Sequence, residues 1–79
     1  MIYRNHWEIE LTNHAIIQAK RRGVSPDMIL ATIKGGKIER FGKRMIRFVS
    51  FYKNTCLICI GEIKEMNKIK ILTIEWGYM

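Results

Sequence analysis

His14 is the side chain best suited to acid or base work in this chain, because an unperturbed imidazole titrates at about 6.5 and exchanges protons at neutral pH. Its competing use is local, packing against a helix start or hydrogen-bonding to it. Arg44 and Arg47 stand among apolar residues in a segment with the pattern of a strand. An arginine there either snorkels to an edge or lines a face that holds phosphate. Their odd separation puts the two on opposite faces, so only one can share a site with His14. Arg47, farther from the turn, is the candidate; its competing use is as a solvated strand residue paired with Glu62 or Glu75. Lys20, Arg21 and Arg22 form a basic cluster that suits phosphate, and equally suits the negative end of a helix dipole. Thr73 has a hydroxyl able to orient a phosphate, although a β-branched residue in a strand needs no such role. Tyr52, Trp76, Trp7 and Tyr78 can stack on bases or fill a core.

Cys56 and Cys59 make a Cys-x-x-Cys, which on a loop would suggest zinc or redox chemistry. Here the pair lies inside Thr55-Cys56-Leu57-Ile58-Cys59-Ile60, a strand pattern that turns the two thiols to opposite faces. His6 and His14 lack the spacing of a second ligand pair. Both cysteines read as small core residues, and neither a metal nor a cofactor is expected.

Fourteen Lys and Arg against seven Asp and Glu give a net charge of +7. The excess runs through both halves of the chain, so no basic tail explains it. A folded surface of this sign attracts polyanions, RNA and DNA foremost, while a basic surface kept for solubility is the plain alternative. With 48% hydrophobic residues and one proline the 79-residue chain reads as a single globular domain over 1–79. A core this small leaves a narrow stability margin, which favours a homodimer or a tight protein partner. No apolar run approaches the roughly 20 residues needed to span a bilayer. No apolar secretory segment opens the sequence, so a cytoplasmic protein is expected.

The elements that must position these groups are legible from their boundaries. Thr12 or Asn13 caps a helix over about 13–22, stopped by Lys20-Arg21-Arg22 and Gly23. Ser25-Pro26-Asp27 starts a second helix that Gly35-Gly36 stops, with Val24 as a plug between the two. Beyond Gly36, runs of Ile, Val, Phe and Tyr broken by short turns predict strands near 37–41, 44–52, 55–64 and 68–76. Turns this short join antiparallel neighbours only, which gives a four-stranded meander. The opening stretch, with Tyr3, Trp7, Ile9 and Leu11, is left as an extra edge strand or an arm.

His14-Ala15, six residues, Arg22-Gly23-Val24-Ser25, and later Ile71-Leu72-Thr73-Ile74 resemble a family of short bacterial proteins grouped with the RelE-like toxins. The resemblance covers about residues 11–76. Its pattern has arginine four positions after the histidine, where this chain has Gln18. The resemblance implies an α+β domain, RelE-like, with the two N-terminal helices packed on one face of the four-stranded antiparallel meander. It also implies a toxin-like, metal-independent endoribonuclease of a toxin–antitoxin system, whose partners are RNA and an acidic antitoxin. In that reading His14 is general base or acid for attack by a 2′-hydroxyl, Arg22 and Arg47 stabilise the transition-state charge, and Thr73 orients the phosphate. Lys20, Arg21 and Arg44 bind RNA. Gln18 argues for the alternative, a catalytically inactive nucleic-acid-binding module.

Overall fold

A computed structural model, which describes residues 2–78, shows the chain opening on strands. β1 (Ile2–Arg4) and β2 (Trp7–Leu11) form an antiparallel hairpin turned at Asn5, whose φ is 54°. Asparagine tolerates that left-handed conformation better than most residues. Trp7, Ile9 and Leu11 alternate with Glu8 and Glu10, so one face of β2 meets the core.

α1 (Asn13–Arg21) starts on Thr12, whose hydroxyl oxygen accepts from the Ala15 N–H at 3.2 Å. It ends through Arg22 on Gly23, at a φ of 70°. The Val24 N–H returns to the Ala19 carbonyl at 2.8 Å and the Gly23 N–H to the Lys20 carbonyl at 3.2 Å. This closure satisfies the last carbonyls and buries Val24 under the helix end. α2 (Pro26–Gly35) starts on Ser25, which accepts from the Met28 N–H at 3.2 Å, with Asp27 in its first turn.

β3 (Lys37–Phe41), β4 (Met45–Phe51), β5 (Thr55–Lys64) and β6 (Lys68–Tyr78) follow, each antiparallel to the next. The sheet order is β1-β2-β6-β5-β4-β3, with β2 parallel to β6. The result is a six-stranded mixed sheet curled into a half-barrel, 53% strand, carrying two helices. It overturns the expected RelE-like arrangement of two helices on a four-stranded antiparallel meander. The cause is the opening segment, which supplies two strands and makes β6 an interior strand. A parallel neighbour is possible because both helices and three strands separate β2 from β6, far more chain than a crossover requires.

Both helices pack on one sheet face. Ala15, Ala19, Ile29 and Ile33 meet Ile9, Ile46, Phe48, Leu57, Cys59, Ile69, Ile71 and Ile74 in one cluster. The link from α2 to β3 is tight: a Cβ on Gly36 would collide with the carbonyl oxygens of Thr32 and Val49, whereas one on Gly35 would meet nothing within 4 Å. Gly36→Ala is expected to lower stability by about 2 kcal/mol through overpacking against backbone. Gly35→Ala is expected to raise it by about 0.5 kcal/mol through helix propensity. Urea unfolding of the two variants checks both signs.

Candidate nucleic-acid interface

The geometry of the site begins where β2 stops. β2 flanks β6 through Leu11, opposite Ile71, and the chain then rises into α1. A bulge at Leu72 breaks the β5–β6 register there, since Ile60 faces Thr73 and Gly61 faces Ile71. The β6 backbone beyond that point needs partners that β2 no longer supplies. α1 supplies them. The Thr12 hydroxyl donates to the Ile71 carbonyl at 2.8 Å, the Gln18 side-chain oxygen accepts from the Ile74 N–H at 3.2 Å, and Arg22 Nη1 donates to the Ile74 carbonyl at 2.7 Å. The Trp76 indole N–H in turn donates to the Arg22 carbonyl at 2.8 Å.

Gln18 therefore has a structural reason that sequence reasoning missed. The Ile74 N–H requires an acceptor, and arginine has none. Arg22, selected as a transition-state cation, is held on a backbone carbonyl. His14 is exposed near the start of α1.

Arg47 and Thr73 lie elsewhere. Residues directly opposite in a ladder share a face, and Glu39, Arg47, Ile60 and Thr73 form one such row. The row lies on the open face, away from the helices, because the neighbouring row Ile38, Phe48, Cys59 and Ile74 faces the core. The sheet thus separates Arg47 and Thr73 from His14 and Arg22. Arg47 Nε donates to Glu39 Oε1 at 2.6 Å and its guanidinium lies 5.6 Å from the Phe41 ring centroid. Its partner is Glu39, and not Glu62 or Glu75. Equal distances of residues 39 and 47 from the centre of the hairpin turn at 43 were the signal for that pair. Arg44 lies in the β3–β4 turn and lines an open groove of about 380 Å³ with Lys64, Glu65, Met66 and Lys68. His14 lines neither this groove nor the apolar hollow of about 270 Å³ beside Ile2, Leu11 and Ile16.

The ladder register also sorts the charges. Lys37, Arg47, Lys64, Lys68 and Lys70 share the open face with Glu8, Glu10, Glu39, Glu62 and Glu75, so that face is neutral. All three ion pairs among the described residues are there: Arg47 with Glu39, Lys37 with Glu39 at 3.6 Å, and Lys64 with Glu62 at 2.8 Å. The Arg47 hydrogen bond holds the Glu39 carboxyl below the usual carboxylate range, and the Lys64 hydrogen bond does the same for Glu62. A depressed carboxylate pKa favours the folded state above the unfolded value, and that contribution is lost as pH falls through the folded value. The entire +7 excess therefore belongs to the helix side and the rims. There Arg4, Lys20, Arg21, Arg22, Lys34, Arg40, Lys43, Arg44 and Lys53 outnumber Asp27 and Glu65.

The end of α1 adjoins two aromatic rings through Arg22. Tyr52 and Trp76 stand 6.0 Å apart, edge to face, and Trp76 is tied to Arg22 as above. Among the described residues no group of three His, Cys, Asp or Glu is placed to hold a metal ion. Comparison with protein-family models, curated proteins and solved structures finds no match.

Gln18→Arg, which installs the arginine of the resembling pattern, is expected to destabilise the fold by about 1–3 kcal/mol, since it leaves the Ile74 N–H without its acceptor. Chemical denaturation measures the loss. Cys59 is fully buried, and burial pushes its thiol up to about 12. Iodoacetamide at pH 8 should leave Cys59 unmodified in the native protein and label it in guanidinium, as peptide mass mapping would show.

Proposed function

We propose that the chain is a nucleic-acid-binding module that approaches its ligand with the helix side, and that it is catalytically silent in RNA cleavage. The observation that carries this reading is the segregation of charge: a neutral open sheet face, with the whole positive excess on the helices and rims. A polyanion gains most from a face whose cations are not already compensated by carboxylates. Of the residues that the resemblance to RelE-like toxins makes catalytic, His14 and Arg22 lie on one side of the sheet and Arg47 and Thr73 on the other. Metal-independent cleavage needs base, acid and cation around one phosphate, so this division favours binding over catalysis. An acidic partner protein, the other ligand implied by the resemblance, would compete for the same side. No helix among the described residues is long and apolar enough to cross a membrane.

Two double variants that remove equal charge test the reading. In fluorescence anisotropy with labelled RNA at low salt, Lys20→Gln with Arg21→Gln should weaken binding about tenfold and flatten the salt dependence. Lys37→Gln with Lys70→Gln, on the open face, should change affinity by less than about twofold. Equal weakening by both pairs would mean that net charge alone attracts RNA, and the reading falls. RNA cleavage by the wild type that vanishes in His14→Ala would return the ribonuclease.

A further inference from the structure

We infer that Tyr52 and Trp76 form a stacking seat for the bases of a single-stranded nucleic acid. The inference rests on the nucleic-acid-binding reading above and narrows its ligand from a general polyanion to an unpaired strand.

Trp76 shares a ladder row with Leu57 and Ser50, and that row faces the helix side. Tyr52, two residues past Ser50, meets the Trp76 ring on that side, where the chain reverses. The Trp76 ring is held in place: its indole N–H is bonded to the Arg22 carbonyl, and Arg22 is bonded to the Ile74 carbonyl. The Tyr52 backbone is fixed by its N–H, which donates to the Thr55 carbonyl at 2.8 Å. An anchored Trp76 loses little conformational freedom on binding, which raises the affinity gained per contact.

Trp76 is packed in part against the buried cluster, and the two rings do not stack face to face on each other. At an interplanar angle of 65° one ring presents its edge to the other, so at most one face of one ring is covered by the pair itself. Tyr52 is 40% exposed and stands outside the buried cluster, so core packing does not account for it. Cations are close to both rings along the chain. Lys20 and Arg21 end α1 just before Arg22, whose carbonyl holds Trp76, and Lys53 follows Tyr52 in the turn. Aromatic rings beside backbone-tracking cations are what a single strand requires, because its bases expose their faces while those of a duplex are stacked on one another.

The test uses the full chain with a labelled octauridine and with an RNA duplex of the same length. Tyr52→Ala should weaken binding of the single strand about tenfold with an unchanged salt slope, and leave duplex binding unaltered. Tyr52→Phe should restore most of the single-strand affinity, and circular dichroism melts of each variant exclude unfolding as the cause. Unchanged affinity in a folded Tyr52→Ala, with Lys20→Gln and Arg21→Gln still weakening binding, overturns the stacking seat while the binding module stands. Equal weakening for single strand and duplex overturns it as well. Absence of any binding by the wild type at low salt removes both.

Discussion

The backbone of β6 between Ile71 and Ile74 is the constraint from which the site follows. An interior strand must have both rows of its N–H and carbonyl groups satisfied, and an orphaned buried group costs about as much as a lost hydrogen bond or more. β2 meets this need only as far as Leu11, because the chain must leave the sheet to make a helix. Thr12 makes the transition: its N–H and its hydroxyl both donate to the Ile71 carbonyl, while its hydroxyl oxygen caps the first turn of α1. Gln18 and Arg22, one helical turn apart, then present an acceptor and a donor to the two polar groups of Ile74. A helix thereby continues the edge pairing that a strand began. The position of Arg22, and through it of Trp76, is a consequence of that continuation.

Pleating does the second part of the work. Alternation along four consecutive strands assigns every charged strand residue to one face or the other, and the register assigns its neighbours. On the open face each cation has carboxylates in its own row or the next, as Arg47 has Glu39 and Lys64 has Glu62. On the helix side the sheet contributes mainly apolar residues to the core, and apart from Arg4 and Arg40 on edge strands the charges come from helix ends and turns. Those positions are basic for a local reason, since Lys20, Arg21 and Lys34 complement helix C-termini. Local dipole complementation and pleated pairing together leave a molecule with a neutral open face and its positive excess on the helix side and the rims.

Sequence pattern carried the local elements well, because their signals are local. Thr12, Gly23, Ser25-Pro26 and Gly36 each act within a few residues, and the helices start and stop there. The architecture was less legible. Trp7-Glu8-Ile9-Glu10-Leu11 alternates as a strand should, yet nothing within the segment says that its partner lies some sixty residues on. The grouping of the candidate site residues was hard to read for a related reason. Odd or even spacing ranks faces within one strand, and it correctly parted Cys56 from Cys59, but it cannot tell which face the helices will cover. His14 and Arg47 were joined in expectation across that undetermined choice. Gln18 was read as the absence of an arginine, because its acceptor role exists only beside the N–H of Ile74.

Fixing Arg22 on a carbonyl bears differently on the two chemistries under comparison. A transition-state cation must direct its N–H groups at the oxygens where charge develops, and a guanidinium already hydrogen-bonded to Ile74 has fewer to direct. A binding surface makes no such demand. Its attraction is set by net charge within a screening length of about 8 to 10 Å, and a guanidinium keeps its full charge while donating to a carbonyl. The same bond that takes up part of the Arg22 guanidinium leaves its charge in place, and the Arg22 carbonyl accepts from Trp76. Anchoring to β6 therefore weakens the case for cleavage while it leaves the case for holding a polyanion intact, and Gln18 and Arg22 serve the fold.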